Sequence, residues 1–178
     1  SSDLGSQTVA RGPAGGGEVQ INATQTATVE ATAKVSVSAT QAGDAGTITI
    51  HADEKTTING TLLAQGGQQS GNGGVINTTS HGQVEIGNTA EVKAAVRGAT
   101  GNVGTWKVEA AAMQINTTNA GVISQSLNTN NVAVKVSTAA CSLLGICAQS
   151  NTATLSAGKL EITQDAQIQK TSPVLTSL

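Results

Sequence analysis

The feature that most constrains the fold is a seven-residue pattern that recurs four times along the chain. Each copy has a glycine, any residue, an apolar residue, any residue, a second apolar residue, any residue and a small residue, although the third copy has threonine at the second apolar position. Successive copies start 29, 28 and 30 residues apart. Their leading glycines, which we predict to be structural turn residues, are Gly17 (GEVQINA), Gly46 (GTITIHA), Gly74 (GVINTTS) and Gly104 (GTWKVEA).

Alternation of apolar and polar residues predicts β-strands with one buried face. Strands this short do not form a stable sheet alone, so copies of the unit must stack on one another. Stacking in register predicts an all-β protein, a parallel β-solenoid of five or six rungs, each rung adding about 4.8 Å along the axis. Further alternating segments support this: 29–31, 58–60, 84–86 and 113–115, then 35–37 and 92–94.

The composition fits narrow, repetitive layers. Aromatic residues make up only 1% of the chain, so the core must be built from Val, Ile, Leu and Ala. Glycines at the corners supply positive φ angles, and stacked Asn and Thr side chains can form hydrogen-bonded ladders. We predict no helix, because the best candidate, 108–116, alternates better at period two than at 3.6. Beyond residue 116 we predict two further rungs, in 121–138 and 154–170.

A length of 178 residues predicts a single domain spanning 1–178. We expect an irregular N-terminal flank at 1–14 and a loose tail at 171–178, where Pro173 interrupts the pattern. The N-terminus lacks the basic start and apolar centre of a signal peptide, and no apolar run approaches the roughly 18–20 residues that span a bilayer.

The two cysteines lie close together in CSLLGIC, at Cys141 and Cys147. Zinc would need further ligands nearby in sequence, so we predict a disulfide loop and no metal site. Such a loop places Leu143, Leu144 and Ile146 at its tip. These side chains either cover an apolar side of the rod or bind a partner.

Charge is scarce: charged residues make up 11% of the chain and the net charge is −2. We therefore expect no binding to nucleic acid or to an anionic membrane surface. Uncharged Ser, Thr, Asn and Gln solvate the surface instead, which suits an extracellular or cell-surface protein.

Residues 59–106 resemble the C-terminal repeat zone of filamentous-haemagglutinin-like exoproteins, the large passengers of two-partner secretion systems. The similarity runs through the Gly71-Asn72-Gly73-Gly74 segment, Thr79-Ser80 and the stretch from Gly101 to Trp106. It continues weakly through Ile123, Ser126 to Asn128, Asn131-Val132, Val134 and Ser137. The chain departs from the family where 107–110 replaces a leucine and an Asp-Pro pair, and where His81 replaces a common glycine.

This resemblance implies a right-handed β-helix, secreted through an outer-membrane transporter, and a distal piece of a longer surface exoprotein. The expected function is adhesion or attachment to a host or bacterial cell-surface receptor or to a matrix. Two alternatives stay open: a stalk for haem-carrier binding or toxin delivery, and a structural filament whose subunits associate end to end.

Enzymatic function is not expected, and we predict no cofactor. Glu30, Glu85 and Glu109 occupy outward positions, but the acids form no cluster in sequence of the kind that glycosidases or metal-assisted lyases require. His51 and His81 follow equivalent strands of consecutive units and could approach each other, although we interpret them as turn residues. Thr-x-Thr segments suggest ice binding, but their spacing differs between units.

Overall fold

All strands in the described part of the chain pair in parallel, and most pair with a strand one repeat away. The computed structural model describes residues 2–5, 7–136, 160–162 and 165–169. These residues form a β-solenoid of about five turns, as the repeat predicted. The strands are β1 (Ser2–Leu4), β2 (Gln7–Val9), β3 (Glu18–Ala23), β4 (Thr26–Val29), β5 (Lys34–Ser36), β6 (Thr47–Ala52), β7 (Lys55–Ile58), β8 (Thr61–Leu63), β9 (Val75–Ser80), β10 (Gln83–Ile86), β11 (Glu91–Lys93), β12 (Thr105–Ala110), β13 (Met113–Ile115), β14 (Asn131–Val136) and β15 (Leu160–Ile162).

Each regular turn contributes one strand to each of three sheets. Sheet I contains β3, β6, β9, β12 and β14; sheet II contains β1, β4, β7 and β10; sheet III contains β2, β5, β8 and β11. A parallel bridge between Gln83 and Ala112 leads from sheet II to β13, which in turn pairs with β15. The connection that follows each of the first four sheet I strands has two residues: 24–25, 53–54 and 81–82 lead to sheet II, and 111–112 lead to β13.

The register of sheet I confirms the repeat spacing. Its first inward row joins the equivalent apolar residues of successive copies, and every member is buried: Val19, Ile48, Ile76, Trp106 and Val132. Sheet III likewise aligns Val35, Leu62 and Val92. In sheet II, however, Val29 and Ile58 align with Ile86 rather than with Val84. The expected segments 29–31 and 58–60 were therefore placed two residues too late, since these strands end at Val29 and Ile58.

The inward threonine of the third copy has a specific partner. Trp106 is fully buried, and its indole Nε1–H donates to Thr78 Oγ1 at 3.0 Å. The Thr78 hydroxyl lies 3.3 Å from the carbonyl oxygen of Lys107, to which it donates. Because a buried N–H without an acceptor is costly, the threonine is what allows the one tryptophan into the core.

Two sets of glycines serve different purposes. The positive φ angles belong to Gly43, Gly71 and Gly101, which stand three residues before the leading glycines and have φ of 110°, 128° and 136°. Among the leading glycines, Gly46, Gly74 and Gly104 instead face the backbone carbonyl of the preceding turn so closely that a Cβ would overlap it, and Gly17 similarly meets Ala10. The sequence analysis assigned positive φ to the corner glycines in general, whereas the positive φ angles of the described residues belong to this upstream set.

The long connections from sheet III to sheet I are stacked in register. Their backbones bond directly, as in Gly43 N–H to Ser70 O at 2.9 Å and Gly71 N–H to Thr100 O at 3.1 Å. Arg97 crosses these connections, donating through Nε to Gly66 O at 2.8 Å and through Nη2 to Ala39 O. These connections are therefore ordered layers of the solenoid.

A predicted side-chain ladder runs along the same corner. Asp44 Oδ1 accepts from the Asn72 backbone N–H at 2.7 Å and from its Nδ2 at 3.0 Å, and Asn72 Oδ1 accepts from the Asn102 N–H at 2.7 Å. The pKa of the Asp44 carboxyl is lowered, first by the backbone N–H of Asn72 and then by its side-chain amide, because both bonds favour the ionised form.

The prediction of no helix was wrong. Helix α1 (Thr117–Leu127) begins at Asn116, whose side chain accepts from the N–H groups of Thr118 and Asn119, while the Asn119 side chain accepts from Asn116 N–H. It follows β13 and takes the place of the next strand of sheet III. Its buried face contains Ala120, Val122, Ile123 and Leu127. The expected rung in 121–138 is thus helix first and strand β14 afterwards.

Side chains of the helical turn complete the edge of sheet III. Ser126 Oγ donates to Val92 O at 3.1 Å, and Asn130 Oδ1 accepts from Ala94 N–H at 3.2 Å. On the other side of the helix, Ser124 Oγ accepts from Gln169 N–H at 2.9 Å. The helix therefore lies between β11 and the segment 165–169.

The expectation of an irregular flank at 1–14 was wrong in part, because β1 pairs with β4 and β2 with β5. Strands of three residues are too short to show a period in the sequence. The predicted Cys141–Cys147 loop, with Leu143, Leu144 and Ile146, and the tail at 171–178 lie outside the described residues. In the described part of the chain, no helix has the length and apolarity needed to cross a membrane.

Candidate functional site

Both histidines of the chain meet at one corner of the solenoid. His51 is on β6, Asp53 follows that strand in the two-residue connection to sheet II, and His81 occupies the equivalent connection one turn later. Asp53 and His81 are equivalent because the repeat interval here is 28 residues and the connection length is constant. The site therefore joins two consecutive turns.

The donor atoms of these three side chains lie within 4.8 Å of one another. His81 Nδ1 is 2.9 Å from Asp53 Oδ1, and His51 Nε2 is 3.5 Å from the same oxygen. The imidazole rings are edge-to-face, with centroids 4.6 Å apart and planes 75° apart. Two imidazoles thus converge on one carboxylate.

A threonine orients the first of these rings. His51 Nδ1 is 2.9 Å from Thr79 Oγ1, the outward residue directly opposite on β9. The same hydroxyl lies 3.3 Å from Ile50 O, a carbonyl that can only accept. When Thr79 donates to that carbonyl, it accepts from His51 Nδ1–H, and in the neutral imidazole the lone pair then lies on Nε2, facing Asp53.

The site is open to solvent on its outer side. The exposed fractions of the side chains are 27% for His51, 31% for Asp53 and 21% for His81. Beside the site, Glu54 is exposed, and Lys55 forms an ion pair with Glu85. A small ion or polar ligand could therefore reach the three donor groups without a change in the backbone.

Sequence reasoning anticipated that the two histidines could approach each other, and the structure confirms their contact. It missed Asp53, although adding the repeat interval of 28 to position 53 leads to His81. The three glutamates do not converge: Glu85 is on sheet II and pairs with Lys55, Glu109 is on sheet I and pairs with Lys135, and Glu30 follows β4.

The fold places the chain in the class of parallel β-solenoids with about five turns. Comparison with known proteins does not narrow this class. No protein-family model matches the chain, and neither a curated protein nor a solved structure does.

Proposed function

We propose that the chain is a rigid segment of a secreted bacterial surface exoprotein of the filamentous-haemagglutinin type, acting in adhesion or attachment. The observation that carries the proposal is the continuous register of all three sheets and of the connections between sheets III and I. A chain held this way keeps its outward side chains in fixed rows, as an attachment surface requires. In this proposal the solenoid is right-handed, and an outer-membrane transporter secretes it.

The outward face of sheet I is the surface best suited to a partner. Its strands have six residues where those of sheets II and III have three or four, so it is the widest face. Its central outward row contains three uncharged polar residues, one lysine and one alanine: Gln20, Thr49, Asn77, Lys107 and Ala133. Asn77 Nδ2 donates to Thr49 Oγ1 at 3.3 Å, so the row is ordered before binding.

Such a surface suits a polar receptor or matrix on a host or bacterial cell, recognised by hydrogen bonds rather than by charge. The proposal includes no chemical step and no nucleic acid. Mechanical stiffness is part of the function, and Arg97 contributes to it by tying together the connections of successive turns.

The test is binding of the labelled, purified chain to host epithelial cells, bacterial cells and immobilised matrix proteins, with unlabelled chain as competitor. We expect saturable binding that Asn77→Lys weakens, because it puts a second cation in the central row. The control Glu30→Lys makes a larger charge change outside sheet I. The double variant Leu143→Asp/Leu144→Asp tests the predicted loop instead.

Loss of binding only in the loop variant would show that the attachment site is the loop. That result would contradict the assignment to sheet I. Absence of saturable binding to all three surfaces, with the fold verified by circular dichroism, would overturn adhesion itself. Electron microscopy over a range of protein concentrations distinguishes adhesion from the filament alternative. The filament alternative requires long fibres with a fixed axial repeat.

A further inference from the structure

We infer that His51, Asp53 and His81 form a binding site for a divalent transition-metal ion of the zinc type, linking two consecutive turns of the solenoid. This inference does not depend on the proposed function. It replaces the sequence-based interpretation of the two histidines as turn residues and the expectation of no metal site.

The separations of the donor atoms fit such an ion. Zn²⁺ bonds of about 2.0–2.1 Å at tetrahedral angles place neighbouring ligand atoms about 3.3 Å apart. The distances from His51 Nε2 and His81 Nδ1 to Asp53 Oδ1, 3.5 and 2.9 Å, lie on either side of that value. The two ring nitrogens lie within 4.8 Å of each other, so binding one ion draws them together by up to about 1.5 Å. This movement falls on side chains that are partly exposed.

The hydrogen bonds of the site also favour a cation. With Thr79 donating to Ile50 O, the Nε2 lone pair of His51 faces a carboxylate oxygen, which is an acceptor too. In the neutral imidazole these two acceptors point at each other and repel, and a metal ion between them, like a proton on Nε2, removes the repulsion. A hydrogen bond that fixes the non-ligating ring nitrogen is the usual second layer of a histidine–metal site, so Thr79 is a positioning residue here.

Ligand chemistry selects the metal. Two imidazoles and one carboxylate suit Zn²⁺ and neighbouring ions such as Co²⁺, whereas Ca²⁺ and Mg²⁺ prefer oxygen ligands throughout. Three protein ligands leave a fourth position on the exposed side for water or another small ligand. Since the ligands come from adjacent turns, the bound ion also acts as a cross-link that stabilises the folded chain.

The experiment is titration of the full chain with zinc chloride by calorimetry and with cobalt chloride by visible absorption. The chain should carry no affinity tag, and a Cys141→Ser/Cys147→Ser background removes the thiols as competing ligands. We expect one ion per chain, the absorption of four-coordinate Co²⁺ and a higher Tm with zinc. His81→Ala and Asp53→Asn should each weaken binding by more than about tenfold, since loss of even an outer-shell partner commonly has that effect.

Glu54→Gln is the matched control, because it removes the same charge from the adjacent, exposed residue and leaves the donor set intact. Thr79→Val should weaken zinc binding by about tenfold while the stoichiometry of one ion per chain is kept. Equal affinity in the wild type, H81A and D53N would overturn the inference, as would equal weakening by D53N and E54Q.

Folding of each variant is checked by circular dichroism. If a variant does not fold, nuclear magnetic resonance of the wild type decides, because the chain has only two histidines. Shifts of both imidazole signals that saturate together with zinc support the site, and signals that do not move with zinc exclude it.

Discussion

The strand-only turns and the turn that contains α1 provide hydrogen-bond partners for the neighbouring backbone in different ways. From β3 to β9, each strand pairs with the equivalent strand of the next turn, and equivalent positions stack on one another. In the helical turn, the sheet III edge at β11 instead receives side chains, Ser126 Oγ and Asn130 Oδ1, from an element of different shape. A solenoid layer can therefore be replaced by a helix when a few polar side chains match the exposed edge.

The comparison also separates two sources of stability. The strand-only turns combine backbone ladders with buried, mostly aliphatic rows, whereas the helical turn combines one buried helix face with a cap and individual polar contacts. We therefore expect substitutions in the aliphatic rows to have the larger effects.

The largest effect is expected for Ile48→Ala, in the first inward row between Val19 and Ile76. Ile48 is fully buried, so the cavity should lower the free energy of unfolding by about 2–5 kcal/mol. Denaturant unfolding followed by circular dichroism measures it. The control Thr47→Val changes the partly exposed neighbour and should stay within about 0.5 kcal/mol. A loss below about 1 kcal/mol for Ile48→Ala would show that the row is not tightly packed.

Thr78→Val should have the next largest effect, because it leaves the buried Nε1–H of Trp106 without its acceptor. We expect a loss of about 1–3 kcal/mol. Tryptophan fluorescence during unfolding reports on the same site. The outward Thr57→Val on β7 is the matched control. If both variants unfold alike, the indole N–H has another acceptor and the account of the third copy is wrong.

Asn116→Ala tests the helical turn, since it removes the side chain that caps α1. The expected loss is about 1 kcal/mol. Hydrogen exchange should quicken mainly between residues 118 and 127, with little change in β6 or β9. The exposed Asn22→Ala on sheet I serves as the control. Equal acceleration throughout the strands would instead show that the helical turn and the strand-only turns unfold as one unit.

The smallest effect concerns Asp44 in the corner ladder. Its pKa is lowered below the ordinary 3.8 in the folded chain, so the unfolded chain takes up the proton first as the pH falls. The contribution of Asp44 to the free energy of unfolding is therefore complete above the ordinary pKa of 3.8. It is lost as the pH falls through the lowered pKa of the folded chain. Titration by nuclear magnetic resonance should find the lowered pKa, and Asn72→Ala should return it part of the way. An unchanged pKa in N72A would show that the backbone N–H alone produces the shift.

The sequence-based prediction was accurate for the strand-only turns and wrong for the turn that contains α1. The alternation of the strands and the spacing of the glycines predicted the layers and the register of sheet I. They could do so because each inward residue pairs with the equivalent residue of the next repeat. Helix α1 was missed because its sequence, TTNAGVISQSL, contains Gly, Thr, Ser and β-branched residues that favour helix weakly. The available signals were the cap at Asn116 and the spacing of Ala120, Ile123 and Leu127.

The sequence predicted only part of the candidate metal site, the approach of the two histidines, and missed Asp53 for a related reason. Equivalent positions on neighbouring turns predict which backbones are adjacent, and this was enough to connect His51 with His81. They do not predict side-chain direction at a corner, which decides that Asp53 faces both rings.

The constant two-residue connection between sheets I and II also bears on how such a chain can change in evolution. Unit length varies elsewhere: the connection from sheet II to sheet III has four, two and four residues at 30–33, 59–60 and 87–90. Differences in unit length therefore lie in other connections and leave the corner of His51, Asp53 and His81 unchanged. Duplication of a unit would copy this corner in register, so an array of such sites could arise from very few substitutions.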